Sequence, residues 1–308
     1  MSSSPVFRKP GIAKRHSLTH RCSRPIPQEA AVVATETRLD AALREAGELG
    51  IMPAAVTEID RVAKDPRSSL KNLETAVALD PMLAARILKF ANTAHYGRRR
   101  TITDLRQAVL TLGMRTVRDV AIGMAVAARA NEVMDAKAEQ FIQHSVYTAV
   151  IGTVMEVSGS QAANDAFVSG LLHNMGGLIM VNLDSDKYAR LEAHHPKGNT
   201  ARCMMEQVAY GFNHADLAAE CLDRWGLPGR VVHAIRHHHD PTPRDKATAL
   251  LALGDQAAQQ FLEGDRIGEI IRVAIDSDAN RVLGIGKEKL NARFRQVPSL
   301  FRAFMPFD

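Results

Sequence analysis

The sequence predicts an all-α protein, and three observations carry that prediction. Ala and Leu are plentiful while Phe, Trp and Tyr together make up 5% of the 308 residues, a mix that suits helix packing better than sheets, which draw on Val, Ile, Tyr and Thr. Apolar residues recur at helical spacing along most of the chain, and no alternation of period two survives more than a few residues. Gly, Pro and Asp-Pro steps punctuate these segments as helix stops.

The elements follow in order. Residues 1–30 are rich in Ser, Pro, Arg and Lys without apolar periodicity, which predicts a disordered basic arm. Ala30 to Gly50 reads as an amphipathic helix, and Val56, Ile59 and Val62 mark the next. Ser68 or Ser69 caps a helix bearing Leu70, Leu73, Val77 and Leu79. Asp80-Pro81 opens another, with Pro at the first helical position, where its missing N–H costs nothing. Thr103 is the expected cap of a helix ending at Gly113, and Thr116-Val117-Arg118-Asp119 resembles a capping box ahead of a long helix. Further on, Ala138 to Val157 reads as one helix and Ala162 to Asn182 as another, bent at Gly176-Gly177. Arg202 to Trp225 is one or two helices interrupted near Gly211. Gly229 to His239, Lys246 to Phe261, Ile267–Leu283 and Lys287–Phe304 complete the series. The expected divisions are the arm (1–30), an N-terminal helical subdomain (31–130), a helical core (138–260) and C-terminal helices (261–308).

Charge and cysteine usage narrow the function classes. The net charge is +5, but Arg8, Lys9, Lys14, Arg15, Arg21 and Arg24 against Glu29 account for it, so the rest of the chain is close to neutral. Cys22, Cys203 and Cys221 show no paired spacing and read as reduced thiols of a cytoplasmic protein. The basic N-terminus has no apolar stretch behind it, and the longest apolar run, Val120 to Ala128, is well short of the roughly 20 residues of a membrane helix. No membrane insertion is expected. Nucleic-acid contact is expected only through the basic arm, since no recognition motif is visible. Arg98-Arg99-Arg100, with Arg86, Lys89, Arg106, Arg115 and Arg118, reads as a solvated face before it reads as an anion site. Met114, Met124, Met134, Met155, Met175 and Met180 read as core filling.

The residues that could carry chemistry lie in the second half. The chain has 12 histidines. His144, His173 beside Asn174, His214, the run His237-His238-His239-Asp240, and Asp255 each sit on a predicted helix or at its end. Helices in a bundle can converge imidazoles and carboxylates on one interior point, as helical metal sites do. The triple histidine has a plainer reading too, because hydrogen-bonding side chains at a helix C-terminus favour that end.

Several motifs, in this order, resemble the HDOD domain: Ile87-Leu-Lys-Phe-Ala-Asn-Thr-Ala-His-Tyr-Gly97, Ile102-Thr-Asp-Leu-Arg-Gln-Ala-Val-Leu-Thr-Leu-Gly113, Gly170-Leu-Leu-His-Asn-Met-Gly176, Arg224-Trp-Gly-Leu-Pro228 and Ile235-Arg-His-His-His-Asp-Pro241. The resemblance covers roughly residues 45–260. It implies a multi-helix architecture in which an N-terminal helical subdomain packs on a core similar to the HD metal phosphohydrolases, in a bacterial family generally regarded as regulatory. It also implies a metal set of His144, His173, Asn174, His214, His238 and Asp255, with the choice among His237, His238 and His239 left open. Asn174 stands where the hydrolases have the Asp of their His-Asp pair, and Gly177 stands where a Lys commonly follows. The set therefore reads as vestigial: no cofactor is expected, and a retained divalent metal would be Fe, Mn or Zn. The preferred expectation is a non-catalytic signalling module that binds a protein partner or a small anionic ligand. Two alternatives stay open: a metal-dependent phosphohydrolase acting on a nucleotide or cyclic dinucleotide, and a nucleic-acid-associated regulator using the basic arm.

Overall fold

The computed structural model describes residues 38–45, 54–92, 101–134, 138–156, 160–194, 199–240 and 242–305. The basic arm, Cys22 and the Arg98-Arg99-Arg100 run lie outside the described residues. Among those described there is no strand, and the protein is all-α.

Short helices build the N-terminal region. Residues 38–45 form α1, followed by α2 (Ala54–Lys64), α3 (Leu70–Ala78), α4 (Pro81–Ala91) and α5 (Leu105–Leu112). Each buries one stripe, such as Val56, Ile59 and Val62 on α2 or Leu83, Ile87 and Phe90 on α4. Ser69 caps α3 in a capping box with Asn72, and Asp80 caps α4 with Pro81 at its first turn. Asn92 ends α4 and clamps the chain beyond: its Nδ2 donates to Ile102 O at 2.6 Å and its Oδ1 accepts from Ile102 N at 2.7 Å. Two expected caps differ. Asp104, not Thr103, caps α5, because its carboxylate accepts from Gln107 N at 2.8 Å. Gly113, at φ 80°, a left-handed value that favours glycine, turns the chain straight into α6 (Met114–Val133). Thr116 is therefore already inside the helix, and its Oγ1 accepts from Asn164 Nδ2 at 3.2 Å.

The core that positions the site consists of α7 (Ala138–Val154), α8 (Gln161–Leu172), α9 (Met175–Leu183), α10 (Ser185–His194), α11 (Asn199–Tyr210), α12 (His214–Arg224), α13 (Gly229–His237) and α14 (Lys246–Leu262). The predicted 162–182 helix is broken at His173-Asn174, ahead of the glycine pair. Gln161–Leu183 is long and apolar enough to cross a bilayer, but 78% of its most apolar window is buried inside the protein, as in a core helix pair. Gly211, at φ 88°, separates α11 from α12. The two predicted C-terminal helices are four: α15 (Ile267–Asp276), α16 (Asp278–Leu283), α17 (Lys287–Phe294) and α18 (Val297–Phe304). Ser277 breaks the first by capping α16 with its hydroxyl.

These last helices tie the two halves together. Phe304 on α18 lies 4.9 Å from the Phe167 ring on α8 and 5.9 Å from Phe90 on α4, while Phe90 and Phe167 are 4.4 Å apart. Tyr147 on α7 stacks on Phe301 at 3.7 Å and on Phe261 at 5.0 Å. Arg118 is buried, not part of a basic face. Its guanidinium bonds Asp60 on α2 at 2.5 Å, Asp119 at 2.8 Å and the carbonyl of Trp225.

α7 packs on α8 and α14 at backbone contact. A Cβ at Gly170 would lie 2.3 Å from the backbone of Ala149, and one at Gly254 would lie 2.9 Å from Thr148 O. Gly170→Ala is expected to cost about 3 kcal/mol in urea unfolding, the upper end of the usual overpacking penalty. Gly229→Ala, with nothing within 4 Å of its Cβ, should stay within about 0.5 kcal/mol of wild type.

Candidate metal centre

The close approach of α7, α8 and α14 converges three side chains. His144 lies one turn before Thr148 on α7, His173 one turn after Gly170 at the end of α8, and Asp255 directly after Gly254 on α14. His144 Nε2 is 2.8 Å from Asp255 Oδ1 and 3.3 Å from His173 Nε2, which is itself 3.4 Å from that carboxylate oxygen. The start of α9 presses on α12 in the same way, since a Cβ at Gly176 would lie 1.9 Å from His214 O. That contact places buried His214, the first residue of α12, beside the triad.

The turn after α13 supplies two more imidazoles. His238 is buried, its ring centroid 5.1 Å from His173 and 5.6 Å from His214. His239 sends Nε2 to His214 Nε2 at 2.9 Å and Nδ1 toward Asp255 Oδ2 at 3.8 Å. His237 turns outward and faces Asp240 at 3.2 Å. Of the run left open by the sequence, His238 and His239 therefore enter the centre and His237 does not. Asn174 lines the cleft beside His144 and Asp255, and its side chain makes no capping bond to α9.

Hydrogen bonds settle which nitrogens face inward. His173 Nδ1 donates to Gly170 O at 2.8 Å, and His238 Nδ1 to Ile235 O at 2.6 Å. Both carbonyls belong to a last helical turn that lacks partners within its helix. His214 Nδ1 donates to Glu206 Oε2 at 2.6 Å. A carbonyl or an ionised carboxylate only accepts, so Nδ1 carries the proton and Nε2 keeps its lone pair. His173 Nε2 thus faces His144 and Asp255, and His214 Nε2 faces His239. His238 Nε2 is buried without a hydrogen-bond partner.

The electrostatics agree. Burial holds His144 below its usual pKa and, with His239 and His173 adding to it, His238 well below. Burial and neighbouring His214 push His239 down to about 3. Burial alone would raise Asp255, but the hydrogen bond from His144, with the neighbouring imidazoles adding to it, outweighs that and holds the carboxyl well below its usual range. The centre gathers imidazoles around a carboxylate, the donor set of a cation site. His144, His173 and Asp255 bring one ligand atom each within 4.8 Å of one another, and so do His238, His239 and Asp255.

Glu206 and Arg202 on α11 complete the surroundings and were not singled out in the sequence. Buried Glu206 accepts from His214 N at 2.8 Å and from Arg202 Nε at 3.0 Å. Burial would raise its carboxyl, yet His214 and Arg202 prevail and bring it to about 2. The only sequence signal was the i,i+4 spacing of Arg202 and Glu206, shared by many surface pairs. A cleft of about 170 Å³, lined by Phe141, His144, Asn174, Arg202, His239 and Asp255, opens onto the centre. Glu206→Ala should cost about 3–5 kcal/mol in denaturant unfolding, because it leaves His214 and Arg202 without their buried acceptor.

Comparisons with known proteins match the chain's family and its fold. The family model for the HDOD domain matches residues 49–241. An uncharacterized protein of Treponema pallidum (strain Nichols) is 23% identical over 218 residues, 70% of this chain and 42% of that protein, so the chain spans less than half of this relative. A crystal structure from Shewanella amazonensis SB2B, whose protein bears the provisional name phosphohydrolase, superposes with a TM-score of 0.64 at 25% identity over 86% of this chain and 98% of its own. An HDOD domain protein of unknown function from Geobacter sulfurreducens follows at 0.59 and 22%, over 87% and 97%. A protein provisionally named for signal transduction, from Marinobacter aquaeolei VT8, gives 0.58 and 21%, over 89% and 64%.

Proposed function

This chain belongs to the HDOD domain family, and we propose that it serves there as a regulatory signal-transduction module that holds a divalent metal and binds a small anion above it, without turning over phosphoesters. One observation carries the proposal. Buried His173, His214 and His238 each have Nδ1 tied to an acceptor, which leaves Nε2 as the lone-pair atom: that of His173 lies 3.4 Å from Asp255, that of His214 lies 2.9 Å from His239 Nε2, and that of His238 has no hydrogen-bond partner. Such a cluster is costly unless a cation sits among the donors. His144, His173 and Asp255 would hold that ion, with His238 and His239 beside them, and Fe, Mn or Zn suits imidazole joined by a carboxylate. A bound metal supplies Lewis acidity and positive charge at this point.

Charge in the cleft supports the anion. Glu192 and Asp255 line it against the guanidinium of Arg202; a divalent cation turns that balance positive. Arg202 also reaches the space where a side chain at position 177 would begin, since a Cβ on Gly177 would lie 3.1 Å from its Nη2. The cation that the resemblance associates with position 177 is thus available from α11. The cleft's volume of about 170 Å³ suits a phosphate-sized group better than a whole nucleotide, as pockets for larger ligands run to about 300–1,000 Å³.

Asn174 argues against turnover. A neutral amide offers no bridging carboxylate to hold and acidify a water between two metals. In this reading the metal and anion state is passed to a separate signalling protein in the cytoplasm, where Cys203 and Cys221 stay as free thiols.

Elemental mass spectrometry of the purified full chain tests the first half. About one or two transition-metal equivalents are expected, falling to about one tenth in His173→Ala and Asp255→Ala variants with unchanged circular dichroism. A metal-free wild type after incubation with Fe, Mn and Zn would sink the reading. Assays with nucleotides and cyclic dinucleotides test the second half. No turnover is expected in wild type, and the non-catalytic assignment would be abandoned if the wild-type protein hydrolysed them.

A further inference from the structure

We infer that the centre has a second metal position containing sulfur, formed by Cys203, His214 and His239. It rests on the metal-binding reading above and adds a thiolate ligand to it. Cys203 Sγ and one nitrogen each of His214 and His239 lie within 4.8 Å of one another. These groups come from α11, α12 and the turn after α13, so the convergence is tertiary and not a local sequence motif.

The two imidazoles are prepared for the role. His214 is fully buried, and the Glu206 bond at 2.6 Å to its Nδ1 leaves Nε2 as the ligand atom. A carboxylate behind a histidine in this way orients the ring and raises its basicity as a ligand. Glu206 stands one helical turn beyond Cys203, so the same face of α11 carries the thiol and the carboxylate that steadies its neighbour. Cys203 is half-buried and in no disulfide. His239 faces both positions, with Nε2 2.9 Å from His214 Nε2 and Nδ1 on the side of Asp255. One imidazole therefore adjoins the sulfur position and the Asp255 position together.

Zinc takes thiolate at about 2.3 Å and imidazole at about 2.0–2.1 Å, so tetrahedral donors stand somewhat closer than the 4.8 Å limit here. Cysteine has a single side-chain torsion to turn, and a rotation about it moves Sγ toward the imidazoles. On ligation the thiol loses its proton to solvent and the sulfur–metal bond forms, with no change of oxidation state. The consequence bears on metal choice. Asn174 contributes no hard anionic oxygen, whereas Cys203 contributes a soft anion. That exchange favours Zn, Co or Fe(II) over Mn or Mg.

The test uses the full chain loaded with Co(II), read by absorption. The expected result is a near-ultraviolet thiolate-to-cobalt charge-transfer band, absent in Cys203→Ser and unchanged in Cys221→Ser, with Cys203→Ser retaining cobalt at the His144, His173 and Asp255 position. A second readout needs no variant: loading wild type with Zn should slow alkylation of Cys203, followed by peptide mass spectrometry. Cobalt bound without the band, together with alkylation indifferent to Zn, would overturn the sulfur position and leave the metal reading standing. Failure to bind any metal would remove both.

Discussion

Backbone contact between α7, α8 and α14 is the constraint on which the rest of the structure depends. Helices carrying ordinary side chains pack with their axes about 8–10 Å apart. Gly170 and Gly254 remove the side chains that would hold α7 off its two neighbours, and a Cβ at either would enter the backbone of Ala149 or Thr148. His144, His173 and Asp255 each sit within one turn of these contacts, so the interhelical spacing sets their mutual distances. Gly176 does the same for α9 and α12 and brings His214 in. The triad is a property of the packed core.

Helix ends supply the second part of the design. His173 and His238 follow the last residues of α8 and α13, and each uses Nδ1 to satisfy a carbonyl that the helix leaves open. The same bond fixes the tautomer and turns the opposite nitrogen inward. A capping role and a ligand role are therefore two ends of one ring. The plain explanation of the histidine run as helix-terminal hydrogen bonding is correct for His238 and compatible with its place in the centre.

The site differs from the pattern of the hydrolases that the sequence resembles, and its surroundings differ as well. Asn174 removes an anion from the cleft, while Glu206 and Arg202 on α11 form a buried network behind His214. Tyr188 joins this network through its hydroxyl, which accepts from Arg202. α11 touches both His214 and the cleft, and it also carries exposed Met204 and Val208.

Much of this was legible in sequence. Helical periodicity and Gly and Pro stops identified the all-α class and most helices, because helix formation depends largely on local pattern. Motif order pointed to His144, His173, His214, His238 and Asp255. Two of the misread boundaries were decided by a competing side chain: Asp104 displaced Thr103 as a cap, and Ser277 split a continuous apolar stripe. What only tertiary structure decided is which nitrogens meet. His237, His238 and His239 are identical in composition and adjacent in sequence, yet one residue of helical rotation sends the first outward and the next two inward. Glu206 had only its i,i+4 spacing from Arg202 and Cys203 no signal as a ligand, since α11 meets α12 and the turn after α13 only once the core has packed. Sequence determined the helices and the supply of ligating side chains, through local periodicity and capping. The fold decided their convergence, because the distance between residues far apart in the chain is set by how closely their helices can pack.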